Sequence, residues 1–584
     1  MKRYLTLLLL SASLVLAQSS PPAVFSPDAE PKPPVAATSQ AEMTSQDEAT
    51  TFKVNVKLVL VRVVARDLKG NAIGGLKKED FQLFDKGKPQ TISQFSVERP
   101  GTQVVREEKT ADEAASAEPA TNAAVPERFV AFLFDDIHLK FGDLAHVRDS
   151  FDHYLTSLLP TDRVAIFTTS GQAVLDFTDD REKLKQMADK IQPRPILSKS
   201  ISDCPDVSYY MADQIVNKND ALILQEVQYD ALNCAYSNQT KFLNAAAIMA
   251  QTTAQQVLAE GDQESHVSLT VISDAVRRIA QMPGQRNLIL VSPGFIAPRL
   301  EWEYNDIIEH ALRSQVIIGT LDARGVYTIV PGGDISNINR PTAYAAANQT
   351  AYAAQSAMAE GELLSSFADE TGGIYFRGNN DLEQGFKRVA AAPEFYYVLG
   401  FAPQNLKPDG TYHAIRVTLK DQPKGQQKIS LQARRGYYAP KHAPDPAQDA
   451  KQEIEDAIFS QEEMHDLPVD LHTQFFKPTG DSARLTVLAH VDAKRLRFRK
   501  IDGRNGDDLT VVSALFNRNG NFLQANEKTV TMRLKDDTLE HKLDSGLTLK
   551  TSFDVKPGSY LVRLVVRDGE GQLMSAENGA VEIP

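Results

Sequence analysis

A chain of 584 residues is too long for one hydrophobic core, so the sequence predicts several domains. Its composition, with 42% hydrophobic and 24% charged residues, is that of an ordinary globular protein. The formal net charge of −13 argues against nucleic acid as a partner, because nucleic-acid-binding proteins present a basic face to the phosphates.

The first 17 residues have the pattern of a secretory signal peptide. In "MKRYLTLLLLSASLVLA" a basic pair, Lys2 and Arg3, precedes an apolar run that ends near the small residue Ala17. An uncleaved membrane anchor is the alternative, but the apolar run is shorter than the ~20 residues that span a bilayer. We therefore expect an exported protein, periplasmic, cell-surface or secreted, with no transmembrane segment after signal removal.

The next segments predict a tether, a small β unit and a linker. Residues 18–50 are rich in Pro, Ala, Ser and Glu, which is typical of a disordered tether. Residues 51–98 contain a long alternating strand within "TFKVNVKLVLVRVVARDLKGNAI" and the hairpin signal "DKGK". Residues 99–127 are acidic and Ala-rich with no apolar period, so we expect a linker there.

Strands alternate with helices from residue 128 to 392. Apolar runs such as "RFVAFLFDD", "RNLILVSPGF" and "QVIIGTLDARG" are separated by amphipathic helical segments. This alternation predicts a doubly wound, mostly parallel α/β sheet whose ligands bind beyond the carboxyl ends of the strands. Asp135, Ser292 and Asp322 each follow such a run, so we expect all three at that edge.

Two cysteines, Cys204 and Cys234, bracket an insertion at residues 200–240. In an exported protein a lone pair of this kind predicts one disulfide, worth roughly 3 kcal/mol in the chain-entropy model. Two free buried thiols are the alternative. Zinc is not indicated, because no His–Cys cluster surrounds the pair.

The pattern returns to strands after residue 392. Residues 393–440 include "EFYYVLGFAP" and are expected to pair with residues 51–98. Residues 441–466 are a Pro- and acid-rich connector. Residues 467–584 carry short strands separated by turns such as "NRNGN" and "KPGS", which predicts a sandwich of immunoglobulin or fibronectin type.

One strand end carries a candidate metal site. In "FLFDDIHLKF" the residues Asp135, Asp136 and His138 follow an apolar run, and carboxylates with histidine can hold zinc or manganese. On an extended strand, however, Asp135 would point to one face and the other two residues to the opposite face. A carboxylate that caps the following turn, with His138 as a polar neighbour, is the simpler alternative.

Catalytic motifs are absent from the sequence. It has no Gly-x-Ser-x-Gly elbow, no His-Glu-x-x-His and no phosphate-binding loop, so we expect no enzyme. A hydrolase that uses Ser292, with His138 as base and Asp322 as orienting acid, is an alternative on the same edge. The segment "LDARG" more simply predicts a tight turn held by an Asp322–Arg324 pair, with Gly325 at positive φ.

The order of these segments resembles a known family. The string "FLFDDIHL…DRVAIFTTSG…RNLILVSPGF…VIIGTLDARG…TGGIYF…YYVLGFAP…RRGYYAP", after a signal peptide and a β unit, is similar to exported von Willebrand factor A (VWA) domain proteins of Acidobacteria and related soil bacteria. The resemblance covers residues 50 to 440 approximately. It implies a VWA-like α/β domain inserted between two parts of one β-sandwich.

The family's adhesion site binds Mg²⁺ through Asp-x-Ser-x-Ser after the first strand, a later Thr, and an Asp in a "TDG"-like turn; the ion keeps an open position for a partner's carboxylate. With Asp135 aligned to the first Asp, Ile137 and Leu139 replace the two serines. The turn becomes Ser292–Gly294, so its carboxylate is replaced as well.

These departures, taken with the resemblance, imply a non-enzymatic module that binds an unidentified protein ligand and needs no cofactor. Its binding edge would include Ser292, Asp322 and Arg324. A metal-dependent adhesin that holds Mg²⁺ or Mn²⁺ with Asp135, Asp136 and His138 is the alternative.

Overall fold

Helices and strands alternate in the middle of the chain, and strands predominate on both sides. A computed structural model describes residues 43–46, 59–67, 72–98, 128–196, 204–327, 343–391, 396–403, 410–420, 429–439, 446–459, 464–479 and 482–584. Our predictions for the signal peptide at 1–17 and the linker at 99–127 lie outside these residues, as does most of the predicted tether.

The elements are numbered in chain order. The strands are β1 (Met43–Gln46), β2 (Val59–Arg66), β3 (Phe81–Asp85), β4 (Lys88–Gln90), β5 (Ile92–Glu98), β6 (Arg128–Phe134), β7 (Asp162–Thr168), β8 (Val174–Thr178), β9 (Gln285–Ser292), β10 (Val316–Asp322), β11 (Tyr375–Phe376), β12 (Tyr396–Phe401), β13 (Tyr412–Leu419), β14 (Ser430–Ala433), β15 (Gly436–Tyr438), β16 (Met464–His465), β17 (Val469–Thr479), β18 (Ser482–Val491), β19 (Arg499–Ile501), β20 (Arg504–Asn517), β21 (Phe522–Leu534), β22 (Leu547–Val555), β23 (Gly558–Asp568) and β24 (Met574–Ile583). The helices are α1 (Phe141–Leu155), α2 (Arg181–Lys190), α3 (Tyr209–Val216), α4 (Ala221–Tyr236), α5 (Leu243–Ala280), α6 (Glu301–Arg313), α7 (Ala343–Thr371), α8 (Leu382–Val389), α9 (Pro446–Phe459) and α10 (Asp536–Ser545).

The central sheet has the strand order β11-β10-β9-β6-β7-β8. All neighbours in it are parallel except β8, which pairs antiparallel with β7. The predicted mostly parallel α/β sheet is therefore confirmed. Because β6 pairs with β7 on one side and β9 on the other, the carboxyl ends of these three strands lie next to one another.

Strand β6 supplies the cores on both faces of this sheet. Phe132 and Phe134 face one core and pack edge-on against Phe151 of α1. Phe129 and Leu133 face the other core, which α5, α6 and α7 cover. A strand buried on both faces needs a continuous apolar run, which explains why the sequence here shows no alternation.

Two small sheets combine strands from before and after the α/β unit. Their orders are β14-β2-β12-β5 and β15-β13-β3-β4, and the core between them contains Val61, Val63, Leu83 and Tyr397. The "DKGK" signal forms the hairpin between β3 and β4, with residues 86–87 at φ values of +46° and +79°. Positive φ at both central positions is the turn that suits a two-residue hairpin.

The C-terminal region packs a larger antiparallel sheet against a smaller one. The larger sheet includes β21-β20-β23-β24, and the smaller one is β17-β18-β22. Leu485, Leu515 and Val562 lie in the core between them. The structure thus combines an α/β unit with β-rich units, as the sequence predicts at this level.

Two segments differ from the expectation of unstructured chain. Met43–Gln46, expected within a disordered tether, pairs antiparallel with β21. An edge strand offers free backbone groups, so pairing with it requires no apolar pattern in the added segment. Residues 446–459, expected in a connector, form α9, in which Ile454 and Ala457 are buried against the larger C-terminal sheet. Spacing of three residues puts these two side chains on one helix face.

The insertion is a helical layer held by the predicted disulfide. Cys204 and Cys234 are bonded, with their Cα atoms 5.9 Å apart. Helices α3 and α4 pack on the first half of α5 through Ile215, Val227 and Ala254. Among the described helices, none is both long and apolar enough to cross a bilayer.

Candidate functional site

Polar side chains converge where β6, β7 and β9 end. We call Asp135, Asp136, His138, Thr169, Ser170 and Ser292 the Asp135 cluster. The backbone continues the sheet ladder one step past β6, since the Asp135 amide donates to the Val291 carbonyl at 2.9 Å. The Thr169 amide donates to the Phe134 carbonyl at 3.0 Å. These bonds fix the residues that follow the three strands against one another.

The Asp135 carboxylate is the centre of this cluster. Its side chain is fully buried and accepts hydrogen bonds from the Ser292 hydroxyl at 2.6 Å and the Thr169 hydroxyl at 2.9 Å. The Nδ1 atom of His138 lies 2.9 Å from both carboxylate oxygens. Three side chains from three different segments therefore direct donors at one carboxylate.

The backbone geometry corrects our expectation that Asp135 and His138 point to opposite faces. Strand β6 ends at Phe134, and the residues after it form a turn in which the Leu139 amide donates to the Asp135 carbonyl at 2.9 Å. Alternation holds only along an extended strand. Because the chain turns here, the two side chains meet.

Asp136 serves a different loop. Its carboxylate accepts the Ser170 amide at 2.8 Å, the Ser170 hydroxyl at 2.5 Å and the Thr169 hydroxyl at 3.1 Å. Burial nevertheless raises the pKa of Asp136, and the nearby Asp135 charge acts in the same direction. Asp136 thus fixes the loop after β7, while Asp135 binds His138.

Asp135 and His138 form an ion pair in which the carboxylate is fully buried and the imidazole is partly buried. Burial opposes the charge on Asp135, but His138, Ser292 and Thr169 together hold the pKa of this carboxyl below its ordinary value. Burial also opposes the charge on His138, but Asp135 and two more distant carboxylates, Glu264 and Glu360, raise the pKa of its imidazole. The His138 ring stacks on Phe295 with centroids 5.0 Å apart, which holds its plane in place.

A second ion pair follows β10. Two guanidinium nitrogens of Arg324 lie 2.9 Å from the two oxygens of Asp322, and a third lies 2.8 Å from Glu360. Gly325 follows at φ +64°. The tight turn and the Asp322–Arg324 pair expected from "LDARG" are therefore present. The guanidinium also lies over the Tyr327 ring, 4.5 Å from its centroid.

The three residues of the hydrolase alternative are not joined in the order that catalysis needs. Asp322 binds Arg324, whereas Asp135 orients His138. The Ser292 hydroxyl donates to Asp135 and accepts the Gly294 amide at 2.9 Å. A serine nucleophile would instead have to donate to the imidazole.

The cluster does not fit the Mg²⁺ that the family resemblance implies. Ile137 and Leu139, at the positions of the two family serines, are buried and apolar. The oxygens of Asp135 are already in contact with two hydroxyls and an imidazole. Within the ranges that the structure describes, no three His, Cys, Asp or Glu side chains are grouped as a metal site would require.

Sequence reasoning missed three contributors to the site. Thr169 and Ser170 follow β7 in "IFTTSG", and the polar run after a buried strand was the available signal. Glu360 comes from the middle of α7, far from any strand end, and no sequence pattern indicates its contact with Arg324.

Comparisons with known proteins do not assign a family. No protein-family model and no curated protein sequence match this chain. One similar solved structure is a calcium-binding mutant of Bacteroides uniformis β-glucuronidase 2, with a TM-score of 0.14, 15% identity, and coverage of 20% of this chain and 13% of that chain. A Northeast Structural Genomics Consortium target has a TM-score of 0.14 and 9% identity over 21% of this chain and 89% of that one. The B domain of a biofilm-associated protein has a TM-score of 0.12 and 11% identity over 33% of this chain and 63% of that one. At these TM-scores none of the three carries an argument about this chain.

Proposed function

We propose that the chain is an exported, non-enzymatic binding protein, and that its α/β unit is a VWA-like domain that recognises a protein ligand without a metal ion. One observation carries the proposal: the imidazole of His138 lies against both oxygens of the buried Asp135 carboxylate. In the family that the sequence resembles, a divalent cation neutralises this carboxylate. Here an imidazolium neutralises it.

The edge around the cluster supports protein binding. Large apolar side chains stand exposed within ten residues of the ends of three neighbouring strands, namely Phe141 (72% exposed) after β6, Trp302 (72%) after β9 and Tyr327 (43%) after β10. Tryptophan, tyrosine and arginine are the residue types that most often dominate binding energy at protein interfaces. Arg324, fixed by two carboxylates and stacked on Tyr327, adds the third type.

The same residues determine which groups at this edge can contact a ligand. The Asp135 charge is internal and satisfied, so it is not available to a ligand. The exposed aromatic side chains and the rigid Arg324 would make the contacts. Helix α5 connects the disulfide-closed insertion to this edge, because α3 and α4 pack on its first half and its Ser265 hydroxyl donates to the Ile296 carbonyl after β9 at 2.8 Å.

Site-specific photo-crosslinking tests this function. A benzophenone amino acid at Trp302 is compared with the same group at Phe476, which is 70% exposed but lies on β17 in the C-terminal region. Each purified variant is incubated with the cell envelope of the producing organism, with and without EDTA. We expect a discrete adduct from position 302, unchanged by EDTA and reduced in a Phe141→Ala, Tyr327→Ala background.

Three outcomes contradict the proposal. Equal adducts from positions 302 and 476 would show that the edge has no selectivity. Loss of the adduct in EDTA, restored by Mg²⁺ or Mn²⁺, would indicate a metal-dependent adhesin instead. Hydrolysis of p-nitrophenyl acetate that is abolished by Ser292→Ala would replace the binding function with an enzymatic one.

A further inference from the structure

The turn that joins β20 to β21, with the sequence "NRNGN", lies against the α/β unit. Gly520 near its tip is buried, and a Cβ atom there would lie 2.3 Å from the ring of Phe129. Its φ of +82° lies in the left-handed region, so glycine permits both the backbone conformation and the close approach. Hairpin turns usually face solvent. A buried turn therefore indicates a contact between two parts of the molecule.

Asn517 fixes the shape of this turn. Its side-chain oxygen accepts the amides of Asn519 at 2.9 Å and Asn521 at 3.0 Å. Its carbonyl accepts the Gly520 amide at 2.9 Å. An asparagine that accepts amides from the residues after it stabilises a turn. The turn thus has a defined shape, which a close contact with another unit requires.

Phe129 is the residue that the turn covers. It is the second residue of β6, at the amino end of the central sheet, and its ring is fully buried. The ring packs edge-on against Phe177, with centroids 5.5 Å apart, and belongs to the core on that face of the sheet. Pro283, just before β9, borders the same contact. A ring at the end of a sheet is buried only if something covers it, and Gly520 supplies part of that cover.

A buried arginine joins the two parts next to this contact. Arg163 is the second residue of β7 and is only 2% exposed. Its Nη1 atom donates to the carbonyls of Pro160 at 2.9 Å and Asp162 at 3.0 Å, both in its own unit. Its Nε atom donates to the carbonyl of Arg518 in the turn at 3.2 Å. The α/β unit therefore positions this guanidinium and directs one of its donors at the turn.

Asp179 binds both arginines. It follows β8, and its Oδ2 atom lies 2.6 Å from Arg518 and 3.4 Å from Arg163. Burial opposes the charge on Asp179, but the two arginines hold the pKa of this carboxyl below its ordinary value. An ion pair with an exposed arginine such as Arg518 is worth little by itself. Here it also holds the turn in reach of the buried Arg163.

From these contacts we infer that Asn517–Asn521 is a latch that couples the stability of the C-terminal β unit to that of the α/β unit. Interfaces between domains of one chain are commonly mobile unless they are large and apolar. A turn of defined shape, a covered aromatic ring and a buried guanidinium provide specific contacts instead. The latch lies at the amino end of the central sheet, away from the Asp135 cluster, so the inference does not depend on the proposed function.

Passive packing is the competing explanation. In that case other contacts bring the two units together, and a change in the latch affects the latch alone. Coupling requires instead that a change in the latch alters the α/β unit and that a change in the α/β unit alters the hairpin. Hydrogen–deuterium exchange, measured by mass spectrometry on the purified full chain, reports on both units at once.

Gly520→Ala is the first test variant, and Gly503→Ala is its matched control. Gly503 lies in the turn between β19 and β20 at φ +76°, where a Cβ atom would meet nothing within 4 Å. Both substitutions strain the backbone in a similar way, but only Gly520→Ala forces the turn away from Phe129. We expect amides of β6 and β7 to exchange about tenfold faster in Gly520→Ala and to be unchanged in Gly503→Ala.

Asp179→Asn tests the reverse direction, and it remains informative if Gly520→Ala does not fold. The substitution removes the carboxylate that the two arginines share. We expect amides of β20 and β21 next to the latch to exchange about threefold faster, which is the size of effect that one exposed ion pair can have. Asp152→Asn, which weakens an exposed pair with Lys185 in the same α/β unit, is the control and should leave these amides unchanged.

Two results would overturn the inference. Equal exchange of β6 and β7 in the two glycine variants would show that the contact with Phe129 adds nothing beyond backbone strain in a turn. Equal exchange of the amides next to the latch in the two aspartate variants would show that Asp179 and its arginines do not hold the hairpin.

Discussion

Two buried aspartates, one in each half of the molecule, have opposite electrostatics. Asp135 in the α/β unit and Asp507 in the larger C-terminal sheet are both almost inaccessible. The pKa of Asp135 lies below its ordinary value, because an imidazole and two hydroxyls favour its charged form despite burial. Burial and the adjacent Asp568 carboxylate raise the pKa of Asp507 to about 8.

The difference comes from the donors that surround each carboxylate. Asp507 accepts the Glu570 amide at 3.2 Å through one oxygen, and its other oxygen is buried and accepts no N–H hydrogen bond from the residues that the structure describes. Asp568, beside it, accepts the Gly571 amide at 2.7 Å and the Arg497 amide at 3.2 Å. A buried carboxylate is thus stable in its charged form only where donors have been placed around it.

Asp135→Ala should have the largest effect on stability. The change leaves a partly buried imidazole and two buried hydroxyls without their acceptor, so we expect unfolding to become easier by roughly 3–5 kcal/mol. Urea denaturation, monitored by near-ultraviolet circular dichroism, measures this change in the free energy of unfolding. Asp554→Ala, which breaks an exposed pair with Arg484, is the control and should cost at most about 0.5 kcal/mol. Equal costs for the two variants would mean that the Asp135 cluster contributes no more than a surface contact.

His138→Gln should cause the second largest loss of stability, and it should change how the stability depends on pH. The raised pKa of His138 means that the ion pair contributes its full stability below the ordinary value of 6.5 and loses it as pH rises through the higher folded value. We expect the variant to lose about 2 kcal/mol at pH 6 and much less at pH 9. Melting temperatures across this range provide the measurement, compared with those of His490→Gln, whose imidazole makes an exposed hydrogen bond to Thr548. A pH-independent loss would indicate that packing against Phe295, and not charge, is what His138 supplies.

Asp507→Asn should increase the stability of the protein at high pH, in contrast to the two substitutions above. A carboxyl whose folded pKa is near 8 binds a proton more tightly in the folded state than in the unfolded state, so wild-type stability falls as pH rises from about 4 to 8. The asparagine variant has no such charge, and we expect it to be more stable than the wild type by about 1–2 kcal/mol at pH 8 and equal to it at pH 4. Destabilisation at pH 8 would show that the Asp507 carboxylate is satisfied by a group that its hydrogen bonds do not reveal.

The sequence identified elements and strand ends better than it identified contacts. The buried strand "RFVAFLF" and the turn "LDARG" could be predicted because their signals are local: an apolar run, and an Asp–Arg pair before a glycine. The approach of His138 to Asp135 could not, because the chain turns directly after Phe134, whereas the alternation argument assumed extended backbone through His138. The raised pKa of Asp507 depends on Asp568, which lies beside it in the fold but far from it in the sequence. No local sequence pattern indicates such a neighbour.

Thr169→Val should have the smallest effect, and it separates the two carboxylates of the Asp135 cluster. The single hydroxyl proton of Thr169 is shared between Asp135 at 2.9 Å and Asp136 at 3.1 Å, so it can donate to only one of them at a time. Valine keeps the shape and removes this donor, and we expect a loss of about 1 kcal/mol. Thr548→Val, which removes an exposed hydrogen bond to His490, is the matched control and should be close to neutral.

Double variants show which carboxylate receives the Thr169 hydrogen bond. If the hydroxyl donates mainly to Asp135, the loss should nearly vanish in an Asp135→Asn background and persist in an Asp136→Asn background, because the carboxylate that needs the donor is absent only in the first. The reverse result would assign Thr169 to the loop after β7 and leave Asp135 dependent on His138 and Ser292 alone.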